Sequence, residues 1–367
     1  VPEICDTLVE IDNAMKWGYA YQYGPFEMWD AIGIKESLAG IEKSGYQVPA
    51  VIKTMLDKGA STFYRIQNGK KQYWDFASAS YKDIPYSPNM VFLANIKADK
   101  SKVVIGTPSA SLVDIGDGVF CFEYHTKMNA VNGEIVDMVP GVVEFIKKNG
   151  AGMVTGNEAT GMPPAFSAGG DLKFMLGMAK KGDFAGINNF ISDVHEGMKM
   201  TKYAPFPVIA APFGMALGGG CETCLWADKI VAHNELYMAL VEVGAGLIPA
   251  GGGCVNMWRR LSETIVTPTD WLSVFLQAFQ TIAMPMPTGS AQEARNKGFL
   301  RPQDRIVFNR DYLIGEAKKE VLRMVEDGYT PPANLPIKVF GQDAMGALDA
   351  NIPDMLAGYK IAPHIST

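Results

Sequence analysis

Two glutamates near glycine-rich turns are the side chains of this sequence best suited to chemistry. Glu222 directly follows Gly218-Gly219-Gly220-Cys221, and Glu242 begins the next glycine-rich segment. A second glycine pair, Gly169-Gly170, lies upstream. Two carboxylates can act as general acid and general base, while unpaired backbone N–H groups can hold a developing oxyanion. Together these groups could add water to a double bond beside a polarised carbonyl group, or remove it.

The elements around the glycines should place their N–H groups at the end of a sheet. The apolar run from Pro207 to Phe213 predicts a buried strand, and residues 221–232 predict a helix after the glycine turn. The first N–H groups of a helix have no partner within it and carry the positive end of its dipole. Gly169-Gly170 repeats this pattern, with Asp171 as the predicted helix cap.

Between about residues 110 and 300, several pieces resemble the enoyl-CoA hydratase/isomerase (crotonase) family in order and spacing. The matching pieces are Lys127–Ala130, Ala165–Leu172, Pro207–Ala211, Ala216–Glu222, Glu242, Ile248-Pro249 and Ser290–Ala294. The resemblance implies an α/β crotonase-like domain of ββα repeats over residues 96–367. It also implies a reaction, the hydration of trans-2-enoyl-CoA to 3-hydroxyacyl-CoA.

The resemblance also assigns roles to individual residues. Gly170 and Gly219 would donate their N–H groups to the thioester oxygen. Glu222 would orient and deprotonate the attacking water, and Glu242 would exchange the proton at C2. The predicted groove for coenzyme A is lined by Lys127, Met128, Ala130, Ala168, Asp171 and Leu172. The substrate is then an acyl-CoA thioester, and this chain is expected to need no metal and no cofactor of its own.

Residues 1–95 carry a different pattern, with amphipathic helical spacing and many aromatic side chains. The stretch Tyr23–Asp30 resembles the GPFE-x-WD signature in the C-terminal helical domain of 3-hydroxyacyl-CoA dehydrogenases, and Gly59–Tyr64 fits the same domain. The resemblance implies a small, partial all-α domain that precedes the crotonase-like domain.

The NAD-binding domain of such a dehydrogenase is not expected in this chain. No apolar strand is followed by G-x-G-x-x-G and a helix, and the sequence starts at Val1 without a methionine. The sequence therefore predicts a fragment of a bifunctional dehydrogenase/hydratase of fatty-acid β-oxidation, with NAD bound by the missing domain. A homo-oligomeric state and a thiolase partner are further hypotheses.

Composition limits the function classes. A net charge of −6 and a pI of about 5.4 argue against a nucleic-acid-binding surface. No apolar run reaches the length of a membrane span. Five cysteines indicate a reducing compartment, and we expect the cytoplasm. Cys221 and Cys224 form a C-x-x-C pair, but the four histidines are scattered, so the pair predicts buried apolar side chains rather than a zinc site.

Other functions remain compatible with the same residues. One is a different crotonase reaction, either double-bond isomerisation or 3-hydroxyacyl epimerisation. Another is a non-catalytic module that binds coenzyme A or supports a multienzyme assembly. Glu222 could also be an ordinary acid in the first turn of a helix, and Glu242 could be a solvated loop acid. The presence of both acids favours hydration.

Overall fold

The computed structural model describes residues 1, 3–19, 21–67, 70–158, 163–267 and 269–358, without the side chain of Asp354. The chain divides into two compact units. The first contains residues 1–88 and 94–99, and the second contains residues 89–93 and the chain from residue 100 onward. The predicted boundary between residues 95 and 96 falls in the segment where the chain passes between the two units.

The first unit combines helices with a small sheet. The helices are α1 (Leu8–Tyr19), α2 (Pro25–Ile32), α3 (Ile34–Lys43) and α4 (Ala50–Asp57). The strands are β1 (Tyr64–Gln67), β2 (Lys70–Asp75) and β3 (Ser80–Asp83), paired antiparallel in the order β1-β2-β3. The expectation of an all-α domain is therefore corrected. Tyr73 and Trp74 of β2 are buried in the same cluster as helical residues such as Leu8 and Ile52, because aromatic strand residues pack well on a half-buried sheet.

The aspartates of this unit hold its helices to its sheet. Buried Asp12 accepts hydrogen bonds from the Phe26 N–H at 2.8 Å and from the Tyr64 hydroxyl at 2.7 Å. Asp30 accepts from the N–H groups of Phe63 at 2.7 Å and Tyr64 at 2.8 Å. The aspartate of the GPFE-x-WD pattern thus has a structural role, since it fixes the start of β1.

The described residues of the second unit form ten strands in two sheets. They are β4 (Val103–Gly106), β5 (Ala110–Asp114), β6 (Val119–Tyr124), β7 (Gly152–Thr155), β8 (Ala165–Ser167), β9 (Val208–Ala210), β10 (Gly214–Leu217), β11 (Lys229–His233), β12 (Leu236–Ala239) and β13 (Arg305–Val307). The larger sheet has the order β13-β11-β9-β7-β6-β5-β4, and the smaller has the order β12-β10-β8. In the described residues of these two sheets, β4–β5 and β5–β6 pair antiparallel, and the other neighbouring strands pair in parallel.

Helices pack against these sheets and against one another. After α5 (Leu93–Lys97) they are α6 (Gly133–Asn149), α7 (Leu172–Lys180), α8 (Phe184–Lys202), α9 (Gly219–Trp226), α10 (Gly253–Ser262), α11 (Trp271–Ala283), α12 (Ala291–Asn296), α13 (Leu313–Glu326) and α14 (Gln342–Ala357). All six residues of β6 and all four of β7 are buried, as expected for inner strands of a sheet that is covered on both faces. The predicted α/β architecture of this unit is confirmed.

The helix predicted over residues 221–232 is shorter in the structure. It ends at Trp226, and Lys229–His233 forms β11 instead. Ile230, Val231 and Ala232 are buried in β11, which pairs with β9 on one side and β13 on the other. The sheet is favoured over a longer helix because β-branched residues pack well in strands. Over the residues described, no helix has both the length and the apolar character needed to cross a membrane.

Candidate active site

The carboxyl ends of three parallel strands meet at one edge of the smaller sheet. β8 leads into Gly169-Gly170, β10 leads into Gly218-Gly219, and β12 leads into Glu242. β10 lies in the middle and pairs in parallel with both neighbours. Parallel strands end at the same edge of a sheet, which is where α/β proteins commonly bind ligands. The sheet therefore brings both glycine turns and the second acid together.

The two glycine turns pack closely against each other. Gly169 has a φ of +100° and Gly218 a φ of +50°, conformations that favour glycine. A methyl group on Gly219 would lie 3.3 Å from the nitrogen of Gly170. Neither the Gly170 N–H nor the Gly219 N–H donates a hydrogen bond to another described residue. Gly219 is the first residue of α9, so its N–H has no acceptor within the helix.

Glu222 lies in the first turn of α9 and is buried, with only 4% of its surface exposed. Its Oε1 accepts a hydrogen bond from the Gly253 N–H at 2.7 Å. The pKa of Glu222 is raised to about 8, mainly by burial and then by the negative charge of Glu242. Backbone hydrogen bonds lower this pKa by a smaller amount. Glu222 therefore binds a proton more tightly than an ordinary glutamate, and the pair of acids Glu222 and Glu242 keeps a proton at neutral pH in the free protein.

Glu242 starts the 3-10 turn Glu242–Ala245 that follows β12. A methyl group on Gly218 would lie 3.2 Å from its Oε1, which places this acid beside the glycine turn. Its Oε2 is buried and has no hydrogen-bond partner among the described residues, and burial raises its pKa. A buried polar atom without a partner is costly, and in native proteins it often marks a functional position. This oxygen is therefore available to a bound molecule.

The raised pKa of Glu222 predicts that the free energy of unfolding falls as the pH rises. The folded protein holds this proton up to about pH 8, whereas the unfolded chain releases it near pH 4.5. The folded state thus binds more protons between these values, and stability is lost at up to about 1.4 kcal/mol per pH unit. The free energy of unfolding is measured with urea between pH 5 and 8. Plotted against pH, it should fall more steeply for wild type than for Glu222→Gln. Exposed Glu144→Gln is the control, and parallel curves for wild type and Glu222→Gln would contradict the prediction.

Side chains that the sequence analysis missed hold the loop that contacts Glu222. The Trp226 Nε1–H donates to the Gly251 carbonyl at 2.8 Å. The Nε2 of His195 contacts the Ala250 carbonyl. This loop leads into α10 and presents the Gly253 N–H to Glu222. The only sequence signal was the glycine run 251–253, which permits such a close approach of backbone and carboxylate.

The residues predicted to line a coenzyme A groove lie on two chain segments that run side by side. Lys127–Asn129 is a 3-10 turn, and Met128 has a φ of +54°. The Met128 carbonyl accepts from the Ala168 N–H at 3.0 Å. The Val131 carbonyl accepts from the Asp171 N–H at 2.9 Å. The structure therefore brings Met128 and its neighbour Ala130 next to Ala168 and Asp171.

The remaining groove residues lie at the surface end of the same segments. Asp171 caps α7, because its Oδ1 accepts from the Lys173 N–H at 3.0 Å, which confirms the predicted cap. Leu172 is 58% exposed, and Lys127 is exposed. Lys127 and Leu172 are thus accessible to a ligand that enters from solvent.

The C-x-x-C pair has the surroundings of structural cysteines. Cys221 and Cys224 are fully buried and not disulfide-bonded. Burial raises the pKa of both thiols, so neither forms a thiolate readily. Within the described ranges, no cluster of three or more His, Cys, Asp or Glu side chains could hold a metal ion.

Comparison with known proteins matches this site to one family. Residues 118–268 match the family model for enoyl-CoA hydratase/isomerase. The crystal structure of an enoyl-CoA hydratase from Geobacillus kaustophilus has the same fold, with a TM-score of 0.50 at 18% identity over 60% of this chain and 75% of that chain. The matched segment contains both glycine turns and both acids, so the similarity to the enoyl-CoA hydratase/isomerase family covers the whole candidate site.

Two relatives extend the similarity beyond this segment. A protein of Bacillus subtilis, named as a probable 3-hydroxyacyl-CoA dehydrogenase, is 39% identical over 97% of this chain and 44% of its own length. A Rickettsia felis relative, named for a trifunctional enzyme of a fatty acid oxidation complex, is 31% identical over 71% of this chain and 32% of its own length. The chain thus spans less than half the length of these relatives. The predicted resemblance to both enzyme types is confirmed.

Proposed function

We propose that residues 96–367 hydrate trans-2-enoyl-CoA to 3-hydroxyacyl-CoA. One observation carries the proposal. The unpaired N–H groups of Gly170 and Gly219 lie at the same sheet edge as the two acids, Glu222 and Glu242. An electrophilic site and an acid–base pair at one place are what water addition to an α,β-unsaturated thioester requires.

The two backbone donors would activate the substrate. The thioester oxygen accepts from the N–H groups of Gly170 and Gly219, and the positive end of α9 adds to this field. Negative charge that develops on the oxygen when water attacks C3 is then stabilised in the transition state. Each such donor is typically worth ~10²–10³ in rate.

The two acids would move the protons. With the proton of the pair on Glu242, Glu222 as a carboxylate takes a proton from water while the water oxygen bonds to C3, and Glu242 delivers its proton to C2. Return of a proton from Glu222 to Glu242 then restores the starting state. This cycle needs one proton on the pair. The raised pKa values of both acids support that state at neutral pH, because two buried carboxylates close together do not both ionise easily. The Oε2 of Glu242 has no hydrogen-bond partner among the described residues, so this oxygen can transfer a proton to the substrate without breaking a bond to the protein.

Coenzyme A would bind along the groove formed by the segments at residues 127–130 and 168–172. The backbone of Ala168 and Ala130 lies beside the glycine turn, so a thioester there reaches Gly170. Exposed Lys127 offers a positive charge to the phosphates. Asp171 would act mainly by holding the turn through its cap on α7.

The direct test is an absorbance assay with crotonyl-CoA and longer 2-enoyl-CoA substrates, followed by product analysis. Loss of the enoyl absorbance with formation of a 3-hydroxyacyl-CoA would support hydration. A shifted double bond would indicate isomerisation, and inversion of a 3-hydroxyacyl-CoA would indicate epimerisation. Binding of acyl-CoA without any turnover would favour a non-catalytic binding or assembly module.

For the whole protein we propose a bifunctional dehydrogenase/hydratase of fatty-acid β-oxidation. The similarity to the named dehydrogenase over 97% of this chain supports the link. NAD would be bound by a dehydrogenase domain other than residues 1–95, which we assign to the C-terminal-like part of that enzyme. A thiolase partner, a homo-oligomer and a cytoplasmic location are further parts of this proposal. The five free cysteines support a reducing compartment.

This chain should not bind NAD tightly, although its first unit resembles part of a dehydrogenase. The motivation is the lack of a G-x-G-x-x-G turn after a strand, which holds the pyrophosphate in NAD-binding folds. Isothermal titration calorimetry with NAD should give no binding in the micromolar range, and 3-hydroxyacyl-CoA should not be oxidised. Micromolar binding would show that this chain contains an NAD site that the sequence does not reveal.

A further inference from the structure

A large cavity in the second unit shares none of its lining residues with the predicted hydratase site. Its volume is about 570 Å³. The walls come from the end of α8, the start of β11, the end of α10, residues 301 and 303, the end of α13 and the segment 329–338. Small-molecule sites typically have volumes of about 300–1,000 Å³, so the size suits a small organic ligand.

The lining of this cavity is strongly positive. Its cations are Lys202, Lys229, Arg259, Arg301 and Lys338, and its acids are Asp228 and Glu263. The chain as a whole has a net charge of −6, so the excess of positive charge in this cavity is opposite in sign to the net charge of the protein. Such a local field attracts anions.

Two of the five cations are neutralised by acids nearby. The Lys229 Nζ lies 2.6 Å from Glu320, and the Lys202 Nζ lies 3.5 Å from Asp228. Asp228 is further fixed by the Tyr329 hydroxyl, which donates to its Oδ2 at 3.0 Å. These groups form the wall of the cavity rather than its open charges.

Arg259 and Lys338 are available to a ligand, whereas Arg301 is ion-paired with Glu263. Arg259 and Lys338 form no ion pair with any residue in the described ranges. The Arg301 Nε is buried without a hydrogen bond, and the nearest carboxylate oxygen, from Glu263, is 3.6 Å away. Arginine and lysine side chains of this kind bind phosphate oxygens through charge-assisted hydrogen bonds.

The cavity also has an apolar wall. Met324, Leu335, Pro336 and Ile337 line it, and Leu335 is 69% exposed. An inorganic anion would leave this wall in contact with water. A ligand that carries phosphate groups on an organic body would cover it and gain apolar burial.

We propose that this cavity binds an organic diphosphate, with the phosphates on Arg259, Arg301 and Lys338 and the organic part on the apolar wall. The two unpaired charges of Arg259 and Lys338, together with the guanidinium of Arg301 beside Glu263, give this site the positive charge that a diphosphate ester requires. The proposal goes beyond the hydratase function, because it concerns a different cavity and a different ligand.

Calorimetry with uridine diphosphate, inorganic pyrophosphate and uridine tests the ligand class, since uridine diphosphate lacks the adenine of coenzyme A. Uridine diphosphate should bind, pyrophosphate should bind more weakly, and uridine should not bind in the same range. No binding of uridine diphosphate up to millimolar concentration would overturn the proposal. Pyrophosphate that binds as tightly as uridine diphosphate would overturn the role of the apolar wall.

Charge variants test the location. Arg259→Gln and Lys338→Gln should each weaken uridine diphosphate binding about tenfold, because each removes a charged hydrogen bond. Glu263→Gln should tighten it, since it removes the carboxylate 3.6 Å from Arg301. Lys147→Gln, an exposed lysine on α6, is the matched control and should leave the dissociation constant unchanged. Equal binding by wild type, Arg259→Gln and Lys338→Gln would exclude this cavity.

Competition separates this cavity from the acyl-CoA groove. Excess coenzyme A should not displace uridine diphosphate, and Arg259→Gln should hydrate crotonyl-CoA at the wild-type rate if the proposed hydratase function holds. Displacement by coenzyme A would place the diphosphate in the acyl-CoA groove and overturn the proposal.

Discussion

Hydration of crotonyl-CoA is expected to fall ~10²–10⁴-fold in Glu222→Gln, and by a similar factor in Glu242→Gln. Glutamine keeps the shape of the side chain but can neither accept nor deliver a proton in this cycle. At Glu222 it can still accept the Gly253 N–H through its amide oxygen, so the loop before α10 should keep its position. Turnover is measured by the loss of enoyl absorbance at saturating substrate.

The binding of acyl-CoA separates a chemical effect from a structural one. Both variants should bind a non-reactive acyl-CoA with a dissociation constant close to that of wild type. Exposed Glu144→Gln on α6 controls for the loss of a carboxylate and should hydrate normally. Near-normal turnover in either Glu222→Gln or Glu242→Gln would show that the assigned role of that acid is wrong.

Gly219→Pro should abolish hydration, with an expected loss of at least ~10²–10³-fold from one missing oxyanion donor. Proline has no N–H, yet it is favoured at the first position of a helix, which is where Gly219 lies in α9. The substitution therefore removes the donor at a position that can accommodate the ring. Its added Cβ would also approach the Gly170 nitrogen, at 3.3 Å.

Gly170→Ala is the matched control for this experiment. It keeps the N–H, and a methyl group there would meet no other atom within 4 Å, so only a modest loss of activity is expected. Circular dichroism should show both variants folded. In a complex with acyl-CoA, the thioester oxygen should lie about 2.7–3.1 Å from the nitrogens of Gly170 and Gly219. Wild-type turnover by a folded Gly219→Pro variant would remove this N–H from the mechanism.

Features set by neighbouring residues could be predicted from the sequence. The glycine turns were visible because Gly169 and Gly218 occupy backbone conformations that favour glycine. The cap by Asp171 was visible because an aspartate before a helix accepts from the first N–H groups of that helix. The motifs that carry the resemblance consist of such local features, so the α/β fold and the identity of the candidate residues followed from them.

Long-range packing changed the predictions that rested on local periodicity. Residues 64–83 form a sheet in the first unit because Tyr73 and Trp74 pack into a core whose helical part begins more than fifty residues earlier. The helix from Gly219 ends at Trp226 because residues 229–233 complete the larger sheet between β9 and β13. Periodicity within a short window carries no information about such partners.

The sequence by itself determined which residues could do the chemistry, since glycine turns and acids at set spacings are local properties. Only the tertiary structure decided how they are arranged. Parallel pairing of β8, β10 and β12 brings the turns and Glu242 to one edge, and burial against the Gly253 loop raises the pKa of Glu222. The cavity around Arg259 and Lys338 likewise joins residues 79 positions apart. Burial and charge depend on neighbours in space, and these are set by the fold rather than by order in the chain.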